Sequence, residues 1–289
     1  MGTGIRRGST ALLRAGSWSK VLVILGLCAG HALSAAEHAT AAPDDYPGWH
    51  DAPLPDGPLG AAITEGRRIL SNAPKYAAAY SGNALTCTNC HLNGGRAPAA
   101  APWVGIWGVF PEYRTRNAQV NTLTDRINDC FERSLNGKRL PNGAPEMTAM
   151  LTYMHWLSRE VPTGQSVAGR GFLRFQSEKP ASASRGAPLY ARHCGNCHGQ
   201  NGAGRGINGR ADFVPPLWGP QSFNIGAGLA RLNNAAAFIK ANMPLGQGGT
   251  LDDQSAYDIA AYVINQPRPD FAHKEQDWPQ GGKPPDARY

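Results

Sequence analysis

The sequence predicts a mostly α-helical protein made of two small, similar domains joined by a linker. Three observations predict it. A C-x-x-C-H motif occurs twice, as Cys87-Thr-Asn-Cys90-His91 and Cys194-Gly-Asn-Cys197-His198. Each copy follows one helical candidate and precedes, across a Gly-rich loop, another. The 289 residues include 35 Gly and 23 Pro, so long loops between few helices are expected.

The first residues read as an export signal. Arg6, Arg7, Arg14 and Lys20 flank or precede a short apolar run, Val21 to Ala29, and small residues offer cleavage after Ala36 or Ala41. The run is too short to span a bilayer, and no later one is longer, so residues 1–36 are expected to be a signal peptide of a periplasmic, soluble protein. That segment holds four basic and no acidic residues. Without it the net charge of +7 falls to about +3, which is no nucleic-acid signature.

Residues 37–161 form the expected first domain. It has a helix over Gly60 to Leu70, and a closing helix over Glu146 to Val161 whose Met147, Met150, Leu151, Met154 and Leu157 recur at helical spacing. Residues 162–182 carry turn formers without a period and read as a linker. Residues 183–270 repeat the plan, with helices over Ala183 to His193 and Asp252 to Gln266, and residues 271–289 read as an extended tail. The loops after the two motifs each end in a Trp-Gly pair, Trp107-Gly108 and Trp218-Gly219.

C-x-x-C-H is the attachment signal for c-type haem. The spacing lets Cys87 and Cys90, and Cys194 and Cys197, add across the haem vinyl groups, while His91 and His198 fall beneath the iron. A redox dithiol, a zinc site and a disulfide are the alternatives, and two copies in an exported chain disfavour them. The repeated pattern of helix, motif, loop and closing helix resembles the class I cytochrome c domain, twice over, with one covalent haem in each domain.

Each iron needs a sixth ligand. In the second half Met243 stands 45 residues beyond His198, next to Pro244 in a Gly-rich loop, and Lys240 is a competing candidate. The first half offers Cys130, 39 residues after His91, or Met147, 56 residues after it. Met147 as ligand would leave Cys130 a buried small hydrophobe. A helix over Thr122 to Asn136, stopped at Gly137, would place Arg126, Cys130 and Ser134 on one stripe. Leu123, Ile127, Phe131 and Leu135 would form the neighbouring apolar stripe. Arg116, and less directly Arg114, precede that helix and can reach the same place. Guanidinium groups suit multivalent oxyanions because they stay charged and present forked donors. His155 and His273 read as structural or surface residues.

On these residues the chain resembles the thiosulfate dehydrogenases, dihaem cytochromes c that couple two thiosulfate ions to tetrathionate. The resemblance spans about Gly60 to Gln266. It implies a catalytic first haem ligated by His91 and Cys130, a thiosulfate site lined by Arg116, Arg126 and Ser134, and an electron-transfer haem ligated by His198 and Met243. It implies a small soluble cytochrome c or a high-potential iron–sulfur protein as electron acceptor. Some relatives carry a lysine immediately before the distal methionine, where this chain has Asn242. The rival expectations are a dihaem electron carrier, with Met147 in place of Cys130, and the A subunit of the Sox complex, which works with a partner cytochrome.

Overall fold

In the computed structural model residues 47–50 and 52–289 are described, so the expected signal peptide, Cys28 and both cleavage sites lie outside the described residues. The chain order is α1 (Gly57–Ser71), α2 (Ala73–Tyr76), α3 (Leu92–Gly95), β1 (Glu112–Arg114), β2 (Gln119–Asn121), α4 (Leu123–Arg133), α5 (Pro145–Leu157), α6 (Ala183–His193), α7 (Gly195–His198), α8 (Leu232–Asn242) and α9 (Asp253–Asn265). Strands β1 and β2 form a short antiparallel ribbon that pairs Tyr113 with Val120. No helix among the described residues is long and apolar enough to cross a membrane.

The internal repeat is visible in how the helices cross. In the first half α1 packs on α5, and in the second α6 packs on α9. Both crossings turn on a glycine. A Cβ at Gly66 would run into the Ala149 carbonyl and the Tyr153 side chain; one at Gly186 would run into the Asp258 carbonyl and the Tyr262 side chain. Only a residue without a side chain lets the backbones approach this closely. The second crossing is also tied electrostatically, since the buried Asp258 carboxylate accepts from Arg185 Nε and Nη2 at 2.7 and 2.8 Å.

The matching of Trp107 with Trp218 is corrected by the packing. The indole that lies against Gly95 is Trp103, as that of Trp218 lies against Gly202, and each glycine is four residues past its motif histidine. Trp103 is buried and its ring centroid is 4.9 Å from that of His91. Trp107 is half exposed and packs edge-on against His155. The two Trp-Gly pairs are a local coincidence between loops of different length.

Helix α4 positions the lone cysteine, and its ends are fully accounted for. Thr122 and Asp125 form a capping box at the N-terminus. At the other end each exposed carbonyl finds a donor. Glu132 O takes the Asn224 side chain at 2.9 Å and Arg133 O takes the Asn224 N–H at 3.1 Å. Ser134 O takes Asn83 Nδ2 at 2.9 Å, and Leu135 O takes the Gly82 N–H at 2.8 Å. Asn224 lies in the second half, so the helix is capped from across the molecule. The helix is one turn shorter than the sequence predicts, and Asn136 rather than Gly137 adopts the left-handed conformation, with φ of 49°. The apolar stripe is as predicted: Leu123, Ile127, Phe131 and Leu135 are all buried. Burial of such side chains contributes about 1.5–3 kcal/mol each.

The core of the first half admits Phe223, Ala227 and Ala230 from the second. The second half has two smaller clusters, one around Ala236, Tyr257 and Ala260, the other around Tyr190, Ile259 and Val263. Residues 162–182 pack on both halves: Gly169 O and Gly171 O accept from the Ala99 and Ala101 N–H groups, while Phe175 and Ala181 pack on the second-half cluster.

Candidate active site

Two cavities meet at Cys130. The first, of about 230 Å³, is lined by Cys87, Cys90, His91 and Cys130 together with Leu70, Leu85, Trp103, Ile106 and Phe223. His91 Nδ1 lies 2.6 Å from Ala101 O. A carbonyl only accepts, so the ring proton sits on Nδ1 and Nε2 keeps its lone pair for a metal. Burial holds His91 down at about 4, in the neutral form that ligates. Burial also pushes the Cys90 thiol up to about 12, and Cys87 higher still. An apolar chamber, two half-buried thiols in its lining and an oriented imidazole fit a thioether-linked haem.

The second half repeats this geometry. His198 Nδ1 donates to Pro215 O at 2.9 Å, and burial lowers its pKa. Cys194 is pushed up to about 11 by burial and by Cys197. Met243 follows the last residue of α8, its N–H on Ile239 O. Lys240 is engaged elsewhere: Nζ donates to Leu251 O at 2.6 Å and pairs with Asp253 at 2.9 Å. Asn242 donates to Phe238 O and, at 3.3 Å, to Ala99 O in the first half.

The other cavity, of about 550 Å³, is lined by guanidinium groups. Arg114, Arg116, Arg126, Arg133 and Arg231 all line it, together with Cys130 and Ser134. Arg126, Cys130 and Ser134 line both cavities, as do Gly171, Phe172 and Gly228, so the α4 stripe forms part of the boundary between them. Arg126 Nη1 donates to Cys130 Sγ at 3.0 Å. The charge of Cys130 raises the Arg126 pKa against the opposing effect of burial. Arg116 is lowered by burial and by its neighbour Arg133, as expected where like charges crowd. Met147 lines neither cavity; it is fully buried in the core of the first half. His155 and His273 pack against aromatic rings outside both.

Sequence reasoning missed Arg133 and Arg231, and with them Asp277 and Trp278. Arg133 stands seven residues after Arg126, a helical repeat that could have marked it. The others are brought in by folding of the second half and the tail. Trp278 lines the arginine cavity, and buried Asp277 takes both Arg133 Nη atoms at 2.8 Å.

Comparison with known proteins agrees with this architecture. Residues 74–163 match the family described as SoxA/TsdA, cytochrome c domain, and residues 181–263 match cytochrome c oxidase, cbb3-type, subunit III. With its mostly helical fold and two attachment motifs, the chain is a c-type cytochrome with two covalent haems. It is 44% identical to a thiosulfate dehydrogenase of Psychrobacter arcticus over 81% of this chain and 72% of that protein. It is 46% identical to one of Allochromatium vinosum over 78% of this chain and 84% of that protein. A solved structure, thiosulfate dehydrogenase (TsdBA) from Marichromatium purpuratum, superposes with a TM-score of 0.72 at 40% identity. That match covers 75% of this chain and 48% of the other, so the chain spans about half the length of that protein. The chain belongs to the thiosulfate dehydrogenase family.

Proposed function

We propose that this chain oxidises two thiosulfate ions to tetrathionate in the arginine-lined cavity and passes two electrons to an external acceptor. The observation that carries the reading is Cys130, which faces the haem chamber on one side and a cluster of guanidinium groups on the other. Two dianions must be brought together, and the positive groups offset their repulsion. Arg116, Arg126 and Ser134 are the residues assigned to hold the anion. His91 and Cys130 are assigned to the first iron, and His198 and Met243 to the second. When bound, the haems supply one-electron acceptance twice over.

The thiolate of Cys130 has a second role in this reading. Its sulfur and the outer sulfur of one thiosulfate join with loss of two electrons, giving a cysteinyl S-thiosulfonate. The outer sulfur of a second thiosulfate then attacks the sulfane sulfur next to the sulfonate. That S–S bond forms as the bond to Cys130 breaks, releasing tetrathionate and regenerating the thiolate. Arg126, hydrogen-bonded to the sulfur, stabilises the thiolate both as ligand and as leaving group. The same steps run in reverse reduce tetrathionate.

A dihaem carrier would use Met147 on the first iron, and the placement of that side chain in the core favours Cys130 instead. A second half with its own haem motif and Met243 supports electron exit without the partner cytochrome that a Sox A subunit needs. The export signal supports a periplasmic location, where a soluble cytochrome c or a high-potential iron–sulfur protein would take the electrons. The test is Cys130→Met. Pyridine haemochrome should still count two haems per chain, while thiosulfate-dependent ferricyanide reduction is lost. Full activity in that variant refutes the assignment.

A further inference from the structure

The C-terminal tail, residues 271–289, does not trail into solvent. It returns to the first half and walls the arginine cavity with Trp278, Gly282 and Pro284. At its centre is Asp277, whose side chain is 2% exposed. Its carboxylate is engaged from three directions. Arg133 grips it with both Nη atoms at 2.8 Å. Arg116 Nε approaches it at 3.6 Å, and the Tyr289 hydroxyl donates to it. Arg116 is held further by the tail. Its guanidinium lies 5.0 Å from the centre of the Trp278 ring, and its backbone carbonyl accepts from the Trp278 N–H at 2.6 Å. Nη1 donates to Gly226 O at 2.7 Å, while Nη2 has no hydrogen-bond partner among the described residues.

We propose that Asp277 is a positioning residue for the reaction, holding Arg116, through the tail, with its unused donor edge turned to the anion. The inference rests on reading this cavity as the thiosulfate site. A carboxylate beside a site for dianions is electrostatically costly, because like charges repel. Its retention there makes sense where orientation outweighs that cost. A flexible arginine loses rotamer freedom when it captures a ligand, and pre-ordering removes that loss from the binding step.

The two roles a buried carboxylate can have here predict opposite signs. If Asp277 acted only by its charge, Asp277→Asn would strengthen thiosulfate binding and lower KM. If it positions Arg116, Asp277→Asn raises KM roughly tenfold, the scale of one charge-assisted hydrogen bond, with kcat changed less than about threefold. Both haems stay attached, and the electron paramagnetic resonance signal of the first haem is unchanged. Trp278→Leu, which leaves every charge in place, should raise KM in the same direction and serves where Asp277→Asn folds poorly. In an Arg116→Lys background Asp277→Asn should add little, since it acts through the residue already altered. A KM at or below that of the wild type in both variants overturns the inference. Arg126→Gln is the control: if it too leaves turnover and KM untouched, the reading of the cavity fails, whereas its loss beside an unaffected Asp277→Asn removes this inference alone.

Discussion

Arg126→Gln is the perturbation that bears most directly on the site. Arg126 lies one helical turn before Cys130 on α4 and donates to its sulfur at 3.0 Å. Glutamine keeps a good helix former and one neutral donor, but removes the charge. A hydrogen bond from a charged donor contributes about 1.5–3 kcal/mol, against about 1 kcal/mol for a neutral one. In the proposed reaction the same charge faces an incoming dianion. A unit pair at 4 Å is worth about 4 kcal/mol at an effective dielectric near 20, and water in the open cavity reduces that severalfold. Combined, about 1.5–3 kcal/mol of transition-state stabilisation is lost, or roughly 10- to 10²-fold in kcat/KM. Because Cys130 raises the Arg126 pKa, the arginine stays charged throughout the working range, so the loss should be flat with pH. The assay is thiosulfate-dependent ferricyanide reduction normalised to haem content, with kcat and KM resolved. The potential of the first haem should also fall, since removing a half-buried positive charge beside the Cys130 sulfur disfavours the added electron. A kcat/KM within about threefold of the wild type, at unchanged haem content, would refute the reasoning.

Asn224→Ala removes the side-chain cap on Glu132 O and the acceptor for the Gly226 N–H at 2.9 Å, at a residue 3% exposed. It should cost about 1–2 kcal/mol in thermal unfolding and lower turnover severalfold by loosening the end of α4. Asp258→Asn tests the second half. Burial pushes that carboxyl up, but hydrogen bonds from Arg185, the Ser182 N–H and Gln254 outweigh it and hold the pKa below the usual range. Its stabilisation is therefore present above the ordinary carboxylate pKa and is lost as pH falls through the folded value. The variant should melt lower by about 2 kcal/mol of stability at neutral pH, and the gap to the wild type should narrow in acid.

What the sequence made legible was local. The haem motifs are covalent chemistry within five residues, and the α4 stripes are periodicity within fifteen. Cys130, Arg126 and Ser134 could be placed together because one helix carries them all. The two Trp-Gly pairs do not mark equivalent tryptophans, Trp103 and Trp218 being the ones that pack on Gly95 and Gly202, because loops of unequal length carry no period to count. The remaining parts of the site were illegible because they come from far away in the chain. Asn224 caps a helix end 92 residues earlier, and Asp277 pairs with an arginine 144 residues earlier. Nothing in "HKEQDWPQ" announces a partner, since a carboxylate in a Pro-rich tail is ordinarily solvated. These distant contacts share a direction. Phe223, Asn224, Arg231, Asp277 and Trp278 all reach from the second half or the tail into the first. The wall of the arginine-lined cavity is thus built by both halves, although the cysteine and its haem motif belong to one. Separating the halves would remove part of the first core, the cap of the cysteine helix and the tether of two arginines at once.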